Sequence, residues 1–296
     1  MKKYLLILLI LSIVISIAML LVNGITGDAI EESVKKKVDE EKLRMSGDNG
    51  AVVNIWLHGE ERLDVLRENR MKYLFVDVGD TSWNGKLQTE EKEIVRFLEM
   101  IRIYEEETGH DFVLLPYSEI NTYVYDITSK EFQNIFVEDY SRLEALGFDG
   151  IYIDIEPVRS SVVEDYLDLV SEVAGKSSFV GVYSGSLGEE SDWDWSPGLF
   201  KSVSTRVDLI FVPGYDTGIE SEEEYQEHIK NQIEAVSNLN LNSILLLGVP
   251  THKSMPETIK NSLEVFSEDK KEFDGVAIFS EWTADGSEWE IFGEHF

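Results

Sequence analysis

The chain has 296 residues and a formal net charge of −31, from 57 acidic and 26 basic residues. A surface this acidic repels phosphate backbones, so the composition argues against nucleic acid as a partner. The sequence contains no cysteine, which excludes disulfides, thiolate catalysis and cysteine metal sites. The hydrophobic fraction of 43% is that of a globular protein.

The N-terminus predicts membrane targeting. Lys2 and Lys3 precede an uncharged apolar run over residues 4–22, which comes close to spanning a hydrocarbon core of about 30 Å. We therefore predict a signal anchor or signal peptide over residues 1–24. An uncleaved anchor is favoured because the run is longer than the usual core of a signal peptide. The positive-inside rule then places the rest of the chain outside the cytoplasm, at the cell membrane or secreted.

Residues 25–50 are predicted to be a charged stalk and linker, and residues 51–296 a single globular domain. Within that domain, near-continuous apolar runs typical of buried parallel strands recur at 52–57, 73–78, 112–115, 151–155, 179–183, 209–212, 244–249 and 276–279. Amphipathic helical segments lie between them at 90–106, 131–146, 162–173, 222–236 and 256–266.

This alternation of strands and helices predicts an α/β fold with a parallel sheet. Eight such units in roughly 250 residues favour closure into a (β/α)8 TIM barrel, because that is the usual size of the fold. A doubly wound open sheet is the alternative.

Active sites of such barrels lie at the C-terminal ends of the strands. Carboxylates and aromatic rings gather there, and together they are typical of a carbohydrate site, in which rings stack on sugar faces while carboxylates bind hydroxyls and transfer protons. No phosphate-binding loop or metal-ligand motif is visible, so neither a cofactor nor a metal is expected. The strand-end residues predicted to bind the sugar are Trp56, Asp77, Tyr117, Tyr183, Glu281 and Trp282.

The fourth apolar run carries the most informative motif, FDGIYIDIE at residues 148–156. Alternate side chains of a strand share a face, so Tyr152, Asp154 and Glu156 are expected to point together into the barrel and toward its mouth. Two buried acids this close cannot both ionise cheaply. The pair would raise one pKa, which suits a general acid near neutral pH. We therefore expect the chemistry to centre on Glu156.

This run resembles the D-G-x-D-x-D-x-E signature of glycoside hydrolase family 18, the chitinase-like family. Asp149, Gly150, Asp154 and Glu156 match the signature, and Tyr152 replaces its middle Asp.

Two downstream motifs extend the resemblance. Tyr215 and Asp216 resemble the end of the family's M-x-Y-D motif, with Pro213 in place of Met. Residues 275–279 resemble the family's last strand, with Phe279 at the position of its Trp, and the third-strand S-x-G-G motif is absent. The chain is therefore similar to a divergent member of this family, or to a sister family of glycosidase-like barrels.

The resemblance implies a role for each matching residue. Glu156 would protonate the glycosidic oxygen, and Asp154 would orient the 2-acetamido group of the substrate, whose carbonyl oxygen attacks the anomeric carbon. Tyr215 would hold that carbonyl oxygen, and Asp216 would bind near the same sugar. Tyr152 and Phe279 are predicted to contact the substrate as well. Tyr152, at the place of the missing acid, is expected to donate a hydrogen bond to Asp154.

Three functions remain open at this point. The first is an exported or membrane-anchored glycoside hydrolase that acts on an N-acetylhexosamine-containing or related polysaccharide. The second is a non-catalytic carbohydrate-binding barrel at the cell surface. The third is a retaining glycosidase of another family, in which Glu156 is the acid and Glu281 or Asp77 is the nucleophile; this mechanism needs the two carboxyl groups about 5–5.5 Å apart.

Overall fold

The computed structural model of the protein describes residues 49–57, 59–251, 255–269 and 273–296. The predicted anchor at residues 1–24, and the predicted stalk up to residue 48, lie outside the described residues. None of the helices in the described ranges is long and apolar enough to cross a bilayer.

The described ranges contain strands that alternate with helices. In chain order the strands are β1 (Asn49–Asn54), β2 (Met71–Asp77), β3 (Val113–Tyr117), β4 (Glu119–Asn121), β5 (Ile151–Glu156), β6 (Val180–Tyr183), β7 (Ser186–Leu187), β8 (Asp194–Trp195), β9 (Leu209–Pro213), β10 (Ile244–Pro250) and β11 (Gly275–Phe279). The helices are α1 (Glu60–Glu68), α2 (Glu91–Thr108), α3 (Lys130–Leu146), α4 (Val163–Ala174), α5 (Pro197–Ser204), α6 (Glu222–Ser237), α7 (Ile259–Asp269) and α8 (Gly286–His295).

One parallel sheet runs in the order β3-β2-β1-β11-β10-β9-β6-β5-β4. Only Ser118 separates its two end strands along the chain, so β3 and β4 form one bent strand that pairs with β2 at its start and with β5 at its end. The sheet is thereby closed into a barrel of eight strands, each followed by a helix. The predicted (β/α)8 fold is confirmed, and the open sheet is excluded.

All eight predicted barrel strands are present, but the first was placed too late. β1 begins at Asn49, inside the segment that the sequence assigned to the linker. The Asn49 side chain accepts a hydrogen bond from the Val276 amide (3.2 Å), and Gly50 pairs in register with Ala277 of β11. Pairing with the last strand thus holds this polar dipeptide in the sheet.

Serine caps explain where several helices begin. The side chain of Ser129 accepts a hydrogen bond from the backbone at the start of α3, and Ser196 and Ser221 do the same for α5 and α6. The helix predicted from residue 256 begins instead at Ile259. The Pro256 carbonyl accepts a hydrogen bond from the Asn261 side chain (2.8 Å), which holds the preceding turn outside the helix.

The barrel interior is filled by aromatic rings, and glycines on other strands make room for them. The Phe75 ring lies 4.6 Å from that of Tyr152 and 5.5 Å from that of Phe211, measured between centroids. A Cβ at Gly50 would stand 2.8 Å from the Phe75 ring, and one at Gly248 would stand 2.4 Å from the Phe211 ring. These rings form the floor on which the site is built.

Candidate active site

A cavity of about 640 Å³ opens at the C-terminal ends of the barrel strands. The last residues of five barrel strands line it: Asp77, Tyr117, Glu156, Tyr183 and Phe279. This is the end at which barrel enzymes carry their chemistry. The carboxylates and aromatic rings that the sequence identified after separate strands are therefore brought together in one place.

Strand β5 supplies the centre of the cavity. Tyr152, Asp154 and Glu156 all line it, as alternation along a strand predicts, while the intervening isoleucines are buried in the hydrophobic core. Asp149, at the start of this motif, is structural. Its Oδ2 accepts a hydrogen bond from the backbone amide of Leu114 (2.8 Å), which ties β5 to β3.

The other predicted residues divide into two groups. Trp56, Tyr215, Asp216 and Trp282 line the same cavity. Glu281 does not line it.

Glu281 is buried beside β11 and forms an ion pair with Arg62 of α1. Burial raises the pKa of its carboxyl group, and the Arg62 guanidinium acts in the opposite direction. The structure does not bring Glu281 to the cavity with Glu156, because the pairing with Arg62 directs its carboxyl group elsewhere.

Asp154 lies deepest among the acids of the cavity. Burial raises the pKa of its carboxyl group well above the ordinary value, and the nearby carboxylates of Glu156, Glu119 and Asp77 raise it further. Its Oδ1 is shielded from solvent and makes no hydrogen bond to any residue that the structure describes. A buried polar atom without a partner is costly, so this oxygen is poised to bond a ligand.

Glu156 has the pKa expected of a general acid. Burial raises the pKa of its carboxyl group to about 7, with further contributions from the charges of Glu119 and Asp216. A carboxyl group with this pKa is substantially protonated near neutral pH and can still release its proton.

Asp77 is held at the edge of the cavity by its own turn. Its Oδ1 accepts a hydrogen bond from the Gly79 amide (2.8 Å). Burial raises the pKa of Asp77, the Gly79 hydrogen bond lowers it, and the charge of Asp80 raises it.

Tyrosine side chains form one wall. Burial raises the pKa of both Tyr183 and Tyr215 well above the ordinary value, and the two side chains lie close enough to affect each other's pKa. The Tyr215 ring also stacks on Phe279, with centroids 4.6 Å apart and an interplanar angle of 12°. This packing holds the Tyr215 ring rigidly against the last strand of the barrel.

The expected hydrogen bond from Tyr152 to Asp154 is not formed, and that prediction is wrong. The Tyr152 ring packs against Phe75 and lies edge-on to Tyr117, with centroids 5.5 Å apart. Aromatic contacts therefore hold Tyr152, which belongs to the floor of the cavity.

Asp216 takes part in the wall through a constrained turn. Its backbone has a φ of 57°, in the left-handed region that is uncommon for a residue other than glycine. The buried side chain of Glu257 accepts hydrogen bonds from the Asp216 and Thr217 amides, both at 2.7 Å. Glu257 thus fixes the loop that presents Asp216 to the cavity.

Several lining residues were not assigned to the site from the sequence. Asp80 and Glu119 were visible as acids after strands, and the signal that would have assigned Glu119 is its register with Asp154 on the neighbouring strand. Gln88 and Thr89 carried no such signal. They come from the loop after β2, which an antiparallel bridge between Thr81 and Leu87 folds back over the cavity.

Within the described ranges, no group of three or more His, Asp or Glu side chains is placed to hold a metal ion. The arrangement instead combines a protonatable glutamate, a second buried acid and a wall of aromatic rings. Such a cavity can transfer a proton to a bound polar ligand and can stack against an apolar face of that ligand.

Solved structures with the same architecture include chitinases and a spore cortex-lytic enzyme. The spore cortex-lytic enzyme SleL of Bacillus megaterium matches with a TM-score of 0.62 and 10% identity, over 86% of this chain and 75% of its own. A class V chitinase of Pseudomonas fluorescens matches with a TM-score of 0.60 and 13% identity, over 84% and 99%. A chitinase of Bacteroides thetaiotaomicron matches with a TM-score of 0.57 and 11% identity, over 85% and 96%.

No protein-family model matches the sequence, and no curated protein sequence matches it significantly. At identities this low, the structural likeness shows the fold and carries no substrate with it. The chain therefore shares the (β/α)8 barrel fold of these enzymes.

Proposed function

We propose that this protein is a glycoside hydrolase that acts on a polysaccharide containing N-acetylhexosamine, with Glu156 as the general acid. The observation that carries the proposal is the state of Glu156: its pKa is raised to about 7 inside a cavity at the catalytic end of a glycosidase-like barrel. A glycosidic oxygen must be protonated as it leaves, and a glutamic acid with this pKa is suited to that transfer.

Asp154 supports a substrate-assisted course. Burial raises the pKa of its carboxyl group, and its Oδ1 has no partner among the described residues. The N–H of a 2-acetamido group is a donor of the right kind for this oxygen. The acetamido carbonyl oxygen would attack the anomeric carbon as Glu156 protonates the leaving oxygen. Water would then attack the same carbon, break its bond to the acetamido oxygen and give a proton to the Glu156 carboxylate.

Tyr215, which follows β9, supports the same course. Its ring is fixed by the stacked Phe279. A hydroxyl group held in this way can bond the acetamido oxygen before and during the attack, so Tyr215 orients the internal nucleophile.

The test is hydrolysis of chitin oligosaccharides by the wild type and by Glu156→Gln. The variant should bind the oligosaccharides but lose about 10²–10⁴-fold of the turnover, which is the usual contribution of a general acid. Turnover that survives Glu156→Gln unchanged would refute the assignment. Glu281→Gln is the matched control, because it removes a buried carboxyl group outside the cavity.

Asp77→Asn and Asp154→Asn separate the two hydrolytic mechanisms. Under substrate assistance, Asp154→Asn should harm acetylated substrates far more than substrates without the acetamido group, since Asp154 acts on that group. Under a two-carboxylate mechanism, Asp77→Asn should be as damaging as Glu156→Gln.

Carbohydrate binding without catalysis is the second candidate, and Tyr152 favours it. The ring of Tyr152 fills the place of the middle acid of the chitinase signature and leaves Asp154 without its help. Binding of acetylated oligosaccharides by the wild type, with no turnover of any of them, would establish this function in place of hydrolysis.

A further inference from the structure

The cavity is lined by acids from four different segments of the barrel. Six carboxyl-bearing residues line it, and no lysine, arginine or histidine of the described residues does: the six are Asp77, Asp80, Glu119, Asp154, Glu156 and Asp216. None of the six forms an ion pair with a described residue. The described part of the protein therefore places no positive charge against these carboxyl groups.

The six acids lie at two depths in the cavity. Asp80, Glu119 and Asp216 are exposed at the rim, where they come from the loop after β2, from β4 and from the loop after β9. The other three lie deeper, and the rim charges act on them: Glu119 and Asp216 raise the pKa of Glu156. A ligand at the mouth thus meets negative charge from three sides.

Asp154, one of the three deeper acids, also indicates which kind of ligand the cavity can bind. Oδ1 of Asp154 is buried in the cavity wall without a hydrogen-bond partner among the described residues. A neutral amide N–H or an ammonium group can supply the missing donor, whereas a carboxylate cannot.

From this geometry we infer that the site selects its glycan by charge: it accepts neutral or amine-bearing amino sugars and rejects sugars that carry carboxylates next to the cleaved bond. The inference rests on the proposed function and names its substrate class. Like charges brought together in a confined cavity oppose binding, and the protein's excess of negative charge adds to this repulsion at long range.

The experiment compares three soluble polymers on the same backbone. Glycol chitin carries an uncharged hydroxyethyl group, carboxymethyl chitin carries a carboxylate of similar size, and partly deacetylated chitin carries ammonium groups below neutral pH. Binding and hydrolysis of all three are measured at low salt. We expect at least about 10-fold weaker binding and hydrolysis of carboxymethyl chitin than of glycol chitin, which corresponds to about 1.4 kcal/mol.

Two variants locate the source of the selectivity. Glu119→Gln should narrow the difference between glycol chitin and carboxymethyl chitin by several-fold, because it removes a charge from the rim. Glu227→Gln removes the same charge from an exposed position on α6 and should leave the ratio unchanged. Added salt should narrow the ratio for the wild type, because it screens exposed charges.

The outcomes separate this inference from the proposed function. Hydrolysis of both chitin derivatives with equal efficiency would overturn charge selection and leave the hydrolase intact. Selective binding without hydrolysis would contradict the hydrolase and support charge selection. A ratio that falls equally in Glu119→Gln and Glu227→Gln would assign the selectivity to the overall charge and overturn the role of the rim.

Discussion

Glu119 of β4 lies in register beside Asp154 of β5, so their side chains share one face of two neighbouring parallel strands. The charge of Glu119 raises the pKa of both Asp154 and Glu156, in addition to the effect of burial. A residue outside the chitinase-like signature therefore tunes the two acids within it.

The first prediction concerns the pH profile of hydrolysis. Glu156 must be protonated to act as an acid, so kcat/KM should fall as pH rises through about 7, the pKa that burial and neighbouring charges give it. Glu119→Gln removes one of those charges, lowers the pKa of Glu156 and should move this limb to lower pH. Glu227→Gln serves as the control. A limb that does not move in Glu119→Gln would contradict the electrostatic role of Glu119.

The second prediction concerns stability. The pKa of Glu156 is about 7 in the folded protein, against an ordinary value of 4.5, so ionisation of this group opposes folding. Its stabilising contribution is complete below pH 4.5 and is lost as pH rises through about 7. Glu156→Gln lacks this loss and should be more stable than the wild type at pH 8, by on the order of 2 kcal/mol. Urea unfolding of the wild type and of Glu156→Gln at pH 5 and pH 8 measures this difference in the free energy of unfolding. Equal stability of the two proteins at pH 8 would contradict the prediction.

The third prediction concerns the floor of the cavity. Gly248→Ala places a Cβ 2.4 Å from the Phe211 ring and 2.9 Å from the Tyr215 ring. Overpacking of this kind costs about 1–3 kcal/mol, and displacement of Tyr215 should lower hydrolysis as well. Gly286→Ala is the control, because a Cβ there has no neighbour within 4 Å. Equal urea midpoints for the two variants would contradict the prediction, because they would show that the aromatic rings of the floor move aside at no cost in stability.

The fourth prediction concerns the loop beyond Glu156. The Arg159 guanidinium donates a hydrogen bond to the Thr122 carbonyl (2.7 Å) and lies 4.7 Å from the Tyr123 ring, while the Thr122 amide donates to the Glu156 carbonyl (2.9 Å). Arg159→Gln should reduce the free energy of unfolding by about 1–3 kcal/mol, and should lower kcat because the backbone at Glu156 is less firmly held. Arg96→Gln, at an exposed position on α2, should change neither quantity.

The fifth prediction concerns the N-terminal segment. We propose that residues 4–22 attach the protein to a membrane and that the barrel lies outside the cytoplasm, because Lys2 and Lys3 precede an uncharged apolar run. Protease added to intact cells should digest the barrel. Full protection, with digestion only after lysis, would contradict this topology.

The sequence alone determined the barrel and its most important strand. Apolar runs and amphipathic helices are local patterns whose periods are set by backbone geometry, so all eight barrel strands could be predicted. The alternation of Tyr152, Asp154 and Glu156 is equally local, and it was enough to direct all three into one cavity.

Only the tertiary structure decided which other residues join Tyr152, Asp154 and Glu156 in the cavity. Glu281 lies just after a barrel strand and Asp77 lies at the end of one, yet an ion pair with Arg62 holds Glu281 away from the cavity. Glu119 reaches the site through its register with Asp154, and Thr89 arrives on a loop that folds back over the mouth. These placements depend on pairing between segments distant in the chain, and no local period encodes them. The pKa of Glu156 follows from the same packing, because burial and neighbouring charge exist only once the barrel has closed.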